Sequence, residues 1–325
     1  MGEAKKFSLS SLSLTYFIVF MCGYYILASA DQGDYKRGLG RRRLSIADLI
    51  HRSYQKIFPE LSDCCPMTLD RFDGDNSTYA NSSTRLVLLH YINATGNSSF
   101  PCIGTIICRS YVLTAAHCVS GQFVKNFGNL SHIRLGQDAT PNLQCQNKNC
   151  TRLATDKKIG GVIVHEGYND TTRENDIALI RFEEPLSEFT SEIEPICLRW
   201  VHKPGALETS SNEKFSVIGC RPNSNARQNR TSNKQDITLF EREQCSSEYS
   251  KIHRIVTESQ ICGVRDDNRS TCNVNSGVPL VSYIDNCPIL EGIMSFRKRR
   301  KNNNLPDVFI DIMAYEKWIE KNIVG

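Results

Sequence analysis

Apolar residues in this chain come in short runs. Leu86–Ile92, Ile103–Cys108, Ile133–Leu135, Ile159–Val164, Ile177–Phe182, Phe215–Ile218, Pro279–Ile284, Ile289–Phe296 and Val308–Ile312 are three to eight residues long, and stretches rich in Asn, Ser, Gly and charge separate them. A helix that buries one face needs an apolar stripe kept up over about 10 residues or more, whereas a strand needs only about 4 to 8. Many short strands with polar turns read as an all-β barrel or sandwich. Only the end looks clearly helical: Tyr315, Trp318, Ile319 and Ile323 fall on one face of a helix within Met313–Ile323, which is expected to dock by packing. The 325 residues allow one or two domains. With 40% hydrophobic and 23% charged residues, neither a disordered tail protein nor a multi-span membrane protein fits. A net charge of +4 gives no general case for nucleic acid.

Residues 1–30 carry a basic start (Lys5, Lys6), an apolar run from Leu12 to Leu27 and then Ala28-Ser29-Ala30. This is the layout of a cleaved secretory signal peptide, with an uncleaved signal anchor as the rival reading. Residues 31–71 are polar and basic, a pro-segment or linker in which Arg41-Arg42-Arg43 reads as a solvated stretch or a processing site. Asn-x-Ser/Thr tripeptides start at Asn76, Asn81, Asn93, Asn97, Asn129, Asn149, Asn169, Asn229 and Asn268, a density that suits a glycosylated, extracellular chain without stable membrane insertion. Of the 14 cysteines, 13 remain once Cys22 leaves with the signal, and an odd number in an oxidising compartment leaves one free or joined to another chain. No pair of Cys-x2-Cys units appears, so disulfides are expected and neither a metal nor a cofactor is.

Three segments carry the chemistry. Leu113-Thr114-Ala115-Ala116-His117-Cys118 sets a histidine among small residues, Asn175-Asp176-Ile177-Ala178-Leu179-Ile180 opens a strand with an acid, and Cys272-Asn273-Val274-Asn275-Ser276-Gly277-Val278-Pro279-Leu280 puts a serine in a glycine-bearing turn. Each alone is ordinary. Together they supply the parts of a nucleophilic relay, because a serine hydroxyl is a weak nucleophile until a base takes its proton, and the base needs an acid to fix its tautomer.

On these segments the chain resembles the chymotrypsin-like serine protease family over about residues 64 to 323, in particular secreted arthropod proteases of the clip type. The resemblance implies two six-stranded β-barrels within residues 72–325, with His117 and Asp176 from the first, Ser276 from the second and the active site in the cleft between. No clip domain is visible, since the cysteines to build one before residue 64 are absent. It also implies disulfides Cys102–Cys118, Cys145–Cys150 and Cys245–Cys262, with Cys197 tethering the pro-segment through Cys64 or Cys65. Cys108, Cys220, Cys272, Cys287 and one of the adjacent Cys64 and Cys65 are left without an assigned partner, a rewired Cys220–Cys272 bridge competing with a pairing to Cys287.

The departures from the family pattern bear on function. Activation in the family buries a new α-amino group against an Asp before the catalytic Ser; here the segment is Arg71-Phe72-Asp73 and that receiver is Asn275. An ammonium buried without its carboxylate is strongly destabilising. The oxyanion site would use the backbone N–H groups of Ser276 and Val274, and a β-branched residue resists the conformation that a glycine takes there. Val278 replaces another glycine. The specificity pocket would carry Ser270 at its floor, with Arg297 and Asp307 in place of wall glycines. Arg297-Lys298-Arg299-Arg300-Lys301 reads as a solvated loop or a docking patch for an acidic partner, such as a heparin-like polysaccharide or an acidic protein. The expectation is a secreted protease homologue with an intact triad and absent or strongly reduced activity, binding other cascade proteases or their substrates, in innate immunity as the arthropod resemblance suggests. The alternative is an active serine endopeptidase of unusual specificity, drawing basic residues through Asp307.

Overall fold

A computed structural model describes residues 84–136, 154–190, 193–202, 214–219, 221–222, 234–265, 272–273, 275–284, 287–298 and 305–323. The first barrel comprises β1 (Leu86–Ile92), β2 (Ser98–Ile106), β3 (Tyr111–Thr114), β4 (Asn129–Leu135), β5 (Thr155–Val164) and β6 (Ala178–Phe182), closed in the order β1-β2-β3-β6-β5-β4. All its pairings are antiparallel. The strand β1, buried at every position from Leu86 to Tyr91, lies against core on both faces, while β5 alternates between exposed and half-buried positions and turns one face to solvent.

Beyond the first barrel come β7 (Cys197–Leu198), β8 (Phe215–Ile218), β9 (Arg221–Pro222), β10 (Lys234–Phe240), β11 (Gln260–Arg265), β12 (Cys272–Asn273), β13 (Pro279–Ile284), β14 (Cys287–Phe296) and β15 (Asp307–Asp311). Six of these close the second antiparallel barrel as β13-β8-β10-β11-β15-β14, the β13–β14 pairing completing it. Strand β7 adds to β14 in parallel, and β9 pairs with β12 as a separate two-stranded piece. The two-barrel expectation is met.

Helices are more numerous than the apolar pattern suggests. They are α1 (Ala116–Val119), α2 (Gly121–Phe127), α3 (Arg199–His202), α4 (Arg242–Ser250) and α5 (Glu316–Ile323). The expectation that only the end is helical is corrected by α2 and α4. Helix α2 buries no residue, and α4 buries only Cys245 and Tyr249, one turn apart and anchored by the Cys245–Cys262 disulfide, so neither needs an apolar stripe. Helix α5, entered through a 3₁₀ turn at Met313–Tyr315, buries Trp318, Ile319 and Ile323 along with Tyr315, the face read from the sequence. No helix among the described residues is long and apolar enough to cross a membrane.

One buried cluster joins the barrels: Leu86, Leu88 and Ile103 of the first pack with Val217, Val278, Leu280, Met294 and Phe309 of the second. Val278 is fully buried in this cluster. A buried polar network fastens α3 to the second barrel. Arg199 donates through Nε to Glu291 Oε2 at 3.0 Å and through Nη2 to Glu291 Oε1 and to Ser282 Oγ, all three residues buried. Pairing inside a low-dielectric interior is what permits these charges there at all.

Candidate active site

Buried Ala115 and Ala116 follow β3 and let the chain turn tightly into α1, which carries His117. The Cys102–Cys118 disulfide ties that turn to β2. His117 makes two contacts with Asp176: its backbone N–H donates to Oδ1 at 2.8 Å, and its ring Nδ1 lies 2.7 Å from Oδ2. A carboxylate on Nδ1 holds the ring proton there and leaves Nε2 as the basic nitrogen. Ser295 Oγ donates to the same Oδ2 at 2.5 Å. Burial opposes ionisation of Asp176, yet the His117 charge, with hydrogen bonds from the His117 ring, Ser295 and the His117 amide, holds its carboxyl below the usual carboxylate range.

The segment that delivers Asp176 is conformationally demanding. Arg173 and Asn175 have φ of 64° and 51°, in the left-handed region, where asparagine is among the better tolerated side chains. Asn175 is clamped from both sides: Nδ2 donates to the Gly167 carbonyl at 2.9 Å, and Oδ1 accepts from the Tyr315 hydroxyl at 2.9 Å. The 3₁₀ turn ahead of α5 thus braces the residue before the acid, and Trp318 Nε1 donates to Glu166 at 2.9 Å on the same side. The terminal helix does more than pack.

Ser276 arrives from the second barrel. Its carbonyl accepts from the Ile103 N–H at 2.9 Å, beside a bridge to Cys102, which sets the serine next to the disulfide at His117. Gly277 has φ of 81°, and a Cβ there would stand 2.0 Å from the Ile103 carbonyl oxygen, so glycine is obligatory at this turn. The Ser276 side chain is half-buried, but among the described residues no hydrogen bond joins it to His117. His117 Nε2 instead lies 3.8 Å from Cys118 Sγ, and Phe123 meets the ring edge-on. Cys102, His117 and Cys118 converge as metal ligands would, but the two sulfurs are bonded to each other and cannot serve as thiolates.

Asn275 is half-buried and offers an amide. Val274, Ser270, Arg71, Phe72, Arg299 to Lys301, Cys145, Cys150, Cys220, residues 1–83 and five of the nine glycosylation tripeptides lie outside the described residues. Of the remaining four asparagines, Asn97, Asn129 and Asn169 are exposed and Asn93 is half-buried. The implied bridges Cys102–Cys118 and Cys245–Cys262 are formed, and Cys108 is a buried free thiol. Cys197 is disulfide-bonded. The β9–β12 pairing sets Cys272 opposite Pro222, two positions from Cys220.

In the pocket region Asp307 is buried, and Oδ2 accepts from Arg265 Nη2 at 2.8 Å and Nε at 3.2 Å. The expectation that Asp307 draws a basic side chain therefore meets a carboxylate already engaged by a neighbour. Arg297 is half-buried, and the Arg254 guanidinium lies 4.3 Å from the centroid of the Phe296 ring just before it. Sequence reasoning missed Arg265, Arg254 and the hydroxyls of Ser295 and Tyr315. No local signal marks any of them, since each acts on a residue distant in the chain.

The model of the trypsin family matches residues 74–319. The chain belongs to that family, the trypsin-like serine proteases. It is 32% identical to CLIP domain-containing serine protease HP8 of Bombyx mori, over 92% of this chain and 82% of the relative. It is 30% identical to CLIP domain-containing serine protease B9 of Anopheles gambiae, over 82% of this chain and 66% of the relative, so it spans about two thirds of that protein. Phenoloxidase-activating enzyme 1 of Spodoptera litura is 27% identical over 83% of this chain and 73% of its own length.

Proposed function

We propose that the chain is a secreted, glycosylated regulator of an extracellular proteolytic cascade, one relative being named as a phenoloxidase-activating enzyme, with peptide hydrolysis absent or strongly reduced. The observation that carries this reading is the disengaged nucleophile. Ser276 is anchored through its backbone while its hydroxyl makes no bond to His117 among the described residues, and Asn275 beside it presents an amide where activation requires a carboxylate. A receiver without charge cannot hold the ammonium that would reshape the oxyanion turn. The partners under this reading are other cascade proteases or their protein substrates, recognised through a cleft whose lip carries Arg297 and Lys298.

Active endopeptidase is the second reading, and what favours it is the His117–Asp176–Ser295 arrangement, which fixes the tautomer and orientation that a general base needs. A fluorophosphonate separates the two, because it labels only a serine that can attack. The expected result is no labelling above a Ser276→Ala blank, before or after nicking with trypsin, while the immobilised protein retains a cascade protease. Labelling of the wild type above its blank establishes the second reading.

A further inference from the structure

Five large apolar side chains stand in solvent among the described residues, and two of them, Ile92 at 40% exposure and Phe127 at 39%, belong to one corner of the first barrel. Phe127 closes α2, and the chain then passes through Gly128 into β4. A Cβ on Gly128 would stand 2.2 Å from the Ile92 carbonyl oxygen, so this backbone runs flush against the end of β1. Ile92 is the ladder partner of Asn129 on β4 and of Ser98 on β2. Residues directly opposite in an antiparallel pair share a face, with Cβ atoms about 4.5 to 5.5 Å apart. One position inward, the buried Tyr91 pairs with Leu130, which packs on the core, so alternation turns Ile92 and Asn129 outward together. Three glycosylation tripeptides surround that isoleucine, starting at Asn93, Asn97 and Asn129, and geometry separates them. Asn93 folds into the hairpin between β1 and β2, where its Oδ1 accepts from the Thr95 amide at 3.0 Å, the Thr95 hydroxyl at 2.8 Å and the Asn97 amide at 2.8 Å. Asn97 lies one position off the residue that pairs with Ile92. Of the three, Asn129 alone is both exposed and directly opposite the apolar side chain.

We propose that Asn129 carries an N-linked glycan whose first sugar lies over Ile92 and Phe127 and takes this apolar corner out of water. In the transfer, Asn129 Nδ2 displaces the lipid diphosphate of an activated oligosaccharide at the anomeric carbon of its first sugar. The C–O bond breaks with its electron pair on the diphosphate, a C–N bond forms, and the amide loses one proton. A pyranose presents C–H groups on one face, and laying that face on exposed aliphatic and aromatic side chains is favoured in proportion to the apolar area covered. Covalent attachment beside Ile92 makes the chain's own sugar the occupant of a patch that would otherwise invite association. The inference rests on the reading of the chain as secreted and glycosylated. It does not depend on whether Ser276 can attack.

The test uses the full chain secreted from cultured insect cells. Peptide mapping after peptide-N-glycosidase digestion in heavy-oxygen water should find Asn129 converted to labelled Asp in most molecules. Ser131→Ala, which deletes this tripeptide and spares the others, should lower the thermal midpoint by about 2 to 4 °C. Asn129→Gln should give the same loss by a second route. In a background carrying Ile92→Ser and Phe127→Ser, the loss from Ser131→Ala should fall below about 1 °C, because the sugar then has nothing apolar to cover. An unmodified Asn129 overturns the inference and leaves the corner open to a partner protein. Sugar at other tripeptides would then keep the secreted, glycosylated reading standing, and sugar at none of them would overturn that reading as well. A Ser131→Ala loss of equal size in the doubly substituted background also overturns the inference, as does no loss in either background.

Discussion

Around His117 and Asp176, in the first barrel, three donors converge on one buried carboxylate, two from His117 and one from Ser295. In the second barrel Ser276 is held by its main chain alone among the described contacts, with Asn275 before it in the chain, while the buried Asp307 of the same barrel is paired with Arg265. The base half is over-determined: its acid is fixed by the strained Asn175 turn, and that turn by Tyr315 from the end of the chain. The nucleophile half keeps its backbone, through Gly277 and the Ile103 contact, while its side chains have changed character. Packing demands can therefore fix the acid and base of such a site independently of its nucleophile. Asp176 and His117 are also structural residues of a buried polar network, and their presence is weak evidence of activity.

The sharpest way to break this contrast is to repair the second half. Val274→Gly and Asn275→Asp, in a chain also given Phe72→Ile and Asp73→Val, should restore the oxyanion donor and the ion pair. Hydrolysis of a mixed library of short peptide amides by the nicked repaired chain should then exceed that of wild type by about 10²-fold, the usual worth of one oxyanion donor. Wild type should match its own Ser276→Ala blank. A wild-type rate clearly above that blank would mean that the nucleophile half is functional as it stands. A repaired chain that stays silent would move the lesion to the pocket, at Arg297 and Asp307.

A smaller effect is expected where the second half has kept its backbone. Gly277→Ala forces a Cβ against the Ile103 carbonyl in a left-handed conformation, and should lower stability by about 2 to 4 kcal/mol in urea unfolding. Because Ile103 belongs to the first barrel, the loss should appear in one cooperative transition rather than in the second barrel alone. A cost below about 1 kcal/mol would show that the turn yields and that the nucleophile's main chain is not fixed after all.

Much of this contrast was legible in the sequence. The apolar runs at Leu86–Ile92, Phe215–Ile218 and Pro279–Ile284 coincide with β1, β8 and β13 at both ends, because continuous burial writes itself as continuous apolarity. Strand β10 was not legible: of KQDITLF only Ile237 is buried, and its strand character comes from ladders with β8 and β11. Strand β11 hides behind a central glycine that lets Phe309 and Ile237 approach. At the site, His117, Asp176 and Ser276 stood out only together, through segments that resemble the family's motifs. The residues that tune them did not. Ser295 and Tyr315 lie 119 and 140 positions from the groups they bond, and Arg265 lies 42 from Asp307, distances at which no local pattern survives.

The finest test of the over-determined half is Ser295→Ala, which removes one of the three donors on Asp176 and nothing else of size. A hydrogen bond to a buried charge is worth about 1.5 to 3 kcal/mol at most sites, and the two remaining donors should soften the loss to about 1 to 2. The pH dependence carries the diagnosis. Asp176 has a folded pKa held below its unfolded value of about 3.9, so its contribution is fully present above that value and is lost as pH falls through the lower folded one. Without Ser295 the folded pKa moves back toward the ordinary range and there is less to lose. The stability gap between wild type and variant should therefore be constant from about pH 7 to 5 and narrow steadily below about pH 4, as read from urea midpoints. A gap that persists unchanged to about pH 3 would mean that Ser295 acts through packing and not through the carboxylate. No gap at neutral pH would mean that the His117 contacts alone suffice to hold the acid, and the Ser295 donor would then be fully redundant.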